Sequence, residues 1–215
     1  MPTLSIVKKV VMAVTGLLWF GFLITHMAGN LMLFAGPETF NQYPEKLRAG
    51  LGPLLYVAEA GLVLLLLLHA LSAFKVTSEN SAARPVGYAV KATRKQATVA
   101  SRTMIYGGIT LLVFLVVHII TFKLGPWMEH PQGLWGLVVD RFQNPLYVLF
   151  YEVAMVALGL HLSHGLSSAA QSLGANRPGW RPKLRSAGVA LGWGMTLVFM
   201  SMPVWGFLIA KPLGK

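Results

Sequence analysis

An all-α membrane protein, with five transmembrane helices in one bundle, is the fold class this sequence predicts. Three observations predict it. The chain of 215 residues is 55% hydrophobic and only 12% charged, where soluble domains carry about 25% charged residues. The apolar residues fall in five runs, each long enough to match the roughly 20 residues that cross a bilayer. The charges cluster between those runs, so little of the chain lies outside the bilayer. The runs are continuous rather than alternating, which argues against membrane strands.

The spans read as about 10–34, 53–76, 103–124, 145–172 and 187–210, within a single domain covering 1–215. The first is too long for a signal peptide, lacks an obvious small-residue cleavage site and carries His26 near its far end. Lys8 and Lys9 precede it. The second connection carries Lys75, Arg84, Lys91, Arg94, Lys95 and Arg102, and the fourth carries Arg177, Arg181, Lys183 and Arg185. The first and third connections have few basic residues, largely balanced by acids. By the positive-inside rule the N-terminus is cytoplasmic and the C-terminus outside, in a multi-pass protein of the cytoplasmic membrane. The formal charge of +11 is then a feature of the inner face. It suits anionic lipid or an acidic partner and gives no reason to invoke nucleic acid.

Four histidines, His26, His69, His118 and His161, sit inside four different spans. An ionisable side chain within a membrane is costly unless something engages it. A helix rises about 1.5 Å per residue, so sequence position converts to depth. His26 and His118 lie late in outward-running spans, near the outer face. His69 and His161 lie late in inward-running spans, near the inner face. Two pairs, each at one depth and each drawn from two helices, suit two bis-histidine b haems, with His26 and His118 on the outer iron and His69 and His161 on the inner one. The levels would lie roughly 10–15 Å apart along the membrane normal.

His164 follows His161 by three residues and shares much of its face. It lies about one turn deeper, so His161 is preferred as the ligand. His164 then belongs to the haem environment, facing a haem propionate or the inner interface. His130 lies in an outer loop and reads as a surface or interfacial residue. Small residues flank the ligands: Ala28 and Gly29 by His26, Gly61 and Ala73 by His69, Gly107 and Gly108 before His118, Ala157 and Gly165 around His161. They fit close approach of a flat macrocycle or ordinary helix packing. Glu59 and Glu152 fall in the outer portions of spans two and four, near the depth of His26 and His118. Each is expected to be protonated, paired or beside water. They serve either quinone protonation or interhelical hydrogen bonding.

The chain has no cysteine, hence no thiolate ligands for an iron–sulfur cluster. It shows no dinucleotide fingerprint or phosphate loop. Electrons passing through it would come from another subunit.

The residues resemble a known family. Thr25-His26-Met27-Ala28-Gly29-Asn30-Leu31, then Gly36-Pro37-Glu38, Phe40-Asn41 and Tyr43, are similar to the first helix and following segment of the cytochrome b558 subunit of succinate dehydrogenase. Ala83-Arg84-Pro85, Tyr88 and Ala100-Ser101-Arg102 resemble its inner loop. Leu160-His161-Leu162-Ser163-His164-Gly165-Leu166 and Gln171-Ser172-Leu173-Gly174 resemble its fourth helix. The likeness spans nearly the whole chain.

The resemblance implies a diheme membrane anchor of a succinate:quinone oxidoreductase, in the respiratory chain and the tricarboxylic acid cycle. It implies the same haem pairing and selects His161, four residues before the Gly-Leu pair. It implies as partners a flavoprotein and an iron–sulfur subunit docked on the inner face, and a membrane quinone as electron acceptor, menaquinone among the candidates. Succinate would be oxidised in the partner, not in this chain. Some related fumarate reductases place a glutamate two residues before the fourth-helix ligand. Here that residue is Gly159, so a proton path through that carboxylate is not expected. Two alternatives stand beside this expectation. One is the cytochrome b subunit of a hydrogenase or formate dehydrogenase. The other is a haem-free proton or metal transporter.

Overall fold

In a computed structural model, which describes residues 2–83, 98–175, 177 and 179–211, the chain is helical throughout, with no strand among those residues. Helix α1 covers Pro2–Leu31 and ends in a 3-10 turn, Met32–Ala35. It is followed by α2 (Pro37–Leu51), α3 (Leu54–Ala82), the single turn α4 (Val99–Arg102) and α5 (Met104–His118). A π-helical turn, Ile119–Lys123, continues α5. Then come α6 (Gly133–Phe142), α7 (Pro145–Ser172) and α8 (Arg181–Leu208).

Among the described residues, five stretches are long and apolar enough to cross a membrane: Ser5–Ala35, Leu54–Ala82, Met104–Lys123, Pro145–Ser172 and Arg181–Leu208. The expected spans are recovered, with corrections at the ends. α1 starts earlier than residue 10, at Pro2, and Lys8 on its first turns pairs with Glu79 on α3. α8 starts at Arg181, where Pro182 takes a first-turn position that needs no N–H. α7 starts where expected, because Asn144 caps it: its side-chain oxygen accepts from the N–H groups of Leu146 and Tyr147 at 2.9 and 3.3 Å. Arg84, Pro85, Tyr88, Lys91, Arg94 and Lys95 lie outside the described residues.

Neighbouring spans run antiparallel, and small residues set the contacts. A Cβ on Gly192 would come within 2.8 Å of Ser163 N, and one on Gly188 within 3.0 Å of Ser163 O. α7 and α8 therefore meet backbone to backbone, as small residues permit in membrane bundles. Their seam supplies Ala154, Met155, Leu158, Leu162 and Met195 to one buried cluster. α3 and α5 contribute no fully buried residue. They complete the ring of helices and present Leu, Val and Ile outward, the surface expected of lipid-facing spans.

The bundle has two unlike ends. The starts of α1, α5 and α8 and the ends of α3 and α7 gather at one end, with Lys8, Lys9, Arg102, Arg181, Lys183 and Arg185. At the other, α2 and α6 fold over the helix ends. Asn41 on α2 ties them: its amide donates to Gln132 O at 2.9 Å and its oxygen accepts from the Trp135 N–H at 2.9 Å. Trp135 Nε1 donates to Leu33 O at 3.2 Å. Phe40, Trp135, Val138, Val139 and Phe142 pack beneath with Leu33, Tyr151 and Met202. His130 belongs to this cap. Its Nδ1 accepts from Gln132 N–H and its Nε2 lies 3.2 Å from Asp140 Oδ2. Gly136 leaves room for the ring, since a Cβ there would fall 2.3 Å from His130 Cε1.

Candidate functional site

The four intramembrane histidines meet as two pairs. Near the capped end, His26 of α1 and His118 of α5 have ring centroids 5.8 Å apart and ring planes at 83°. Toward the basic end, His69 of α3 and His161 of α7 have centroids 6.1 Å apart and planes at 63°. These are the pairs that depth in the sequence groups. α1 and α5 run in the same direction, so late residues on both share one level. α3 and α7 share the other level for the same reason.

Two of the four rings are fixed by the nitrogen turned away from the pair. His69 Nδ1 donates to the Met12 carbonyl at 3.0 Å, with Thr15 Oγ1 at 3.4 Å. Thr15 is itself anchored to Val11 O at 2.7 Å. His118 Nδ1 lies 3.0 Å from the Tyr151 hydroxyl. A histidine that binds a metal through one nitrogen usually donates its other N–H to such a partner, which sets tautomer and orientation. His26 is held by ring packing instead, stacked on Phe22 at 5.3 Å and flanked by Phe199 at 6.1 Å. His161 Nδ1 is buried without a hydrogen-bond partner, although the backbone of Met104 approaches its ring.

The donor set can be tested against haem iron. Two imidazoles bound trans to one metal, at about 2 Å per nitrogen, place their ring centroids about 6 Å apart. Both observed separations match that span, and rotation about the metal–nitrogen axis admits either interplanar angle. No group of three or more His, Cys, Asp or Glu side chains converges among the described residues. A metal held by protein alone would need such a group. A haem needs only the axial pair, because its macrocycle supplies the other four nitrogens. The residues present fit that group.

Glycines do specific work here, and sequence spacing found only part of it. A Cβ on Gly16 would fall 3.0 Å from His69 Cε1, so the His69 ring lies tight against α1 at a glycine and a larger residue there would push it back. The sequence reading missed Gly16. Gly29 seats the Tyr43 ring, at 2.6 Å from a would-be Cβ, and so serves the cap rather than a macrocycle. Gly108 is in ordinary contact with His161 at 3.7 Å, whereas Gly61 and Gly165 face nothing within 4 Å. Gly159 receives the Trp193 ring, 2.8 Å from where a Cβ would stand, so an indole fills the space beside it.

His164, one turn from His161 on α7, is half-buried and near Arg185 of α8. Glu59 forms an ion pair with Lys123 at the end of the π turn, and its side chain is 35% exposed. Pairing is one of the states expected of Glu59, and Lys123, at the end of the π turn, supplies the partner. Glu152 is half-buried, with Oε1 shielded and without a partner. Tyr151, which the sequence reading also missed, contacts His118 and lies 3.3 Å, hydroxyl to hydroxyl, from Tyr147. Its one legible signal is spacing, since Tyr147 and Tyr151 are neighbours on one helical face at i and i+4.

No protein-family model, curated protein or solved structure matches the chain. What the fold defines is a multi-pass helical membrane protein with paired intramembrane histidines.

Proposed function

We propose that the chain is the diheme cytochrome b membrane anchor of a succinate:quinone oxidoreductase, passing electrons from an iron–sulfur subunit to a membrane quinone. The observation that carries this reading is the meeting of His26 with His118 and His69 with His161, at 5.8 and 6.1 Å between ring centroids. The resemblance of the His26 and His161 segments supplies the particular complex.

When bound between such pairs, haem supplies a reversible one-electron centre. The chain's own contribution is to prepare its ligands. Met12 O accepts a hydrogen bond from the Nδ1–H of His69 and leaves Nε2 free to ligate. Tyr151 does the same for His118. Gly16 lets the His69 ring lie against α1. The α7–α8 seam and the cap keep water from the flanks of the site. The basic end, taken as cytoplasmic by the positive-inside rule, would receive the iron–sulfur subunit. Lys183, Arg185 and Arg181 belong to that face. The N-terminus would be cytoplasmic and the C-terminus outside. Quinone reduction consumes protons, and Glu152, with its shielded oxygen, is the better placed of the two carboxylates to deliver one near the outer pair. Glu59 has Lys123 as its partner.

The test is purification from native membranes under mild detergent. Co-purification of a protein with covalent flavin and of an iron–sulfur protein, with succinate-dependent quinone reduction, supports the reading. A hydrogenase or formate dehydrogenase partner would replace it with the sister assignment. A haem-free chain that moves protons or metal would refute both.

A further inference from the structure

We propose that the indole N–H of Trp19 donates a hydrogen bond to a haem propionate in the interval between the two histidine levels. The proposal rests on the haem reading above and adds to it a residue outside the ligand pairs.

One face of α1 touches both pairs. Met12 and Thr15 meet His69 Nδ1, and Gly16 lies against the same ring. Trp19 follows Thr15 by four residues, Phe22 follows Trp19 by three, and His26 follows Phe22 by four. Residues at these spacings share one side of a helix. The rings touch along it. Trp19 meets Phe22 edge-on at 5.4 Å, and Phe22 stacks on His26 at 5.3 Å. At the helical rise Trp19 stands about 5 Å beyond Gly16 and about 10 Å short of His26. It therefore occupies the interval between the levels.

Trp19 Nε1 is shielded and has no hydrogen-bond partner among the described residues. A buried donor left unmet costs about 1–3 kcal/mol, and buried polar groups are nearly always satisfied. The chain offers this one nothing. Thr196 Oγ1 and His161 Nδ1 are also buried without partners, so neither accepts from it. The cluster that α1 meets through Phe20, Leu23 and Met27 is built of alanine, leucine and methionine, and a thioether is only a weak acceptor. A haem brings one strong kind of acceptor, the propionate carboxylate. A water molecule accepts too, but without charge. The charge decides between them. A carboxylate at this depth is costly unless a donor meets it, and the face of α1 that holds His69 and His26 presents such a donor midway. A propionate of either haem has the same chemistry, and the test tells the two apart.

The experiment is a redox titration of the intact complex, comparing the wild type with Trp19→Phe, which keeps a ring and removes the N–H. The variant should retain both haems. The midpoint of one haem should fall, because a carboxylate without its donor favours ferric iron. The expected change is about threefold in the oxidised-to-reduced ratio, or about 30 mV for one electron. The same substitution in a His26→Ala background assigns the propionate: a shift that persists belongs to the inner haem, and one that vanishes belongs to the outer. Redox-difference infrared spectra with haem carrying ¹³C in its propionates should show the labelled carboxylate band altered in Trp19→Phe. Midpoints and labelled band both unchanged would give the N–H to water and overturn the proposal. A second measurement needs no variant. With indole-¹⁵N tryptophan in the wild type, an indole N–H band should respond to haem reduction, and its indifference would overturn the proposal even if Trp19→Phe fails to fold. A wild-type complex without haem would instead refute the haem reading itself.

Discussion

Gly16→Ala makes the most discriminating single change, because the structure sets the size of its effect. The new Cβ would stand 3.0 Å from His69 Cε1 and 3.2 Å from His69 Nδ1. Ordinary contact begins near 3.4 Å, so the ring must retreat from α1 by about 0.4 Å. The carbonyl of Met12 lies on that same helix, so its 3.0 Å hydrogen bond stretches beyond the usual range of about 2.7–3.2 Å. Weakening it costs about 1 kcal/mol, and crowding adds about 1–2 kcal/mol. The helical gain of alanine over glycine offsets about 0.5–1 kcal/mol. The net, about 1–2 kcal/mol, is a factor of roughly 5–30 in occupancy of the inner site. The control is Gly21→Ala on the same helix, where nothing lies within 4 Å. The assay is haem content per chain by reduced-minus-oxidised spectrum, during dilution or mild heating. Gly16→Ala should lose inner haem first while Gly21→Ala retains both. Equal retention in the two variants would show that the Gly16–His69 contact does not hold the ligand.

Other outcomes follow from the same geometry. His26→Ala should remove the outer haem and largely spare the inner one; spectra in which both are lost from a folded protein would break the assignment of levels. Glu152→Gln should slow quinone reduction with both haems retained, whereas Glu59→Gln should leave the rate unchanged and lower stability by less than about 1 kcal/mol, as expected for a partly exposed ion pair. Unchanged quinone-reductase rates in both variants would make the carboxylates structural. Asn41→Ala removes two hydrogen bonds that join α2 to α6, so the cap should loosen by about 1–3 kcal/mol. Faster proteolysis in the loop before Gly133 would register it, and an unchanged cleavage rate would show the apolar cluster suffices. Gly159→Ala should destabilise the α7–α8 seam by about 1–3 kcal/mol, read as a lower thermal midpoint in detergent; an unchanged midpoint would mean that Trp193 swings aside freely.

The spans were legible because continuous apolar runs and charge asymmetry are local signals. The grouping of the histidines was legible because helical rise converts position into depth. The cap was not. α2 and α6 flank turns and are held by Asn41, Trp135 and Phe40, whose contacts lie some ninety residues apart and leave no periodic trace. Phe40, Asn41 and Tyr43 belonged to the resembling segment, but their structural task, latching the cap and filling the space beside Gly29, required the fold. The π turn after His118 was equally hidden. It changes the helical phase by one residue, which brings Lys123 to Glu59 and Phe122 to within 5.5 Å of the His118 ring. Gly16 and Tyr151 were missed for one reason: each acts on a histidine of another helix. Glycines flanking a ligand in sequence drew attention instead, and of these Gly108 meets the His161 ring.

The central claim is that each histidine pair is a haem site. The most direct measurement is the reduced-minus-oxidised spectrum of the purified chain, with haem quantified per polypeptide. The account predicts b-type bands and two haems per chain, falling to one in His26→Ala and to one in His69→Ala, with different bands surviving in the two variants. A wild-type protein without b-type bands, or single substitutions that leave the stoichiometry at two, would contradict it.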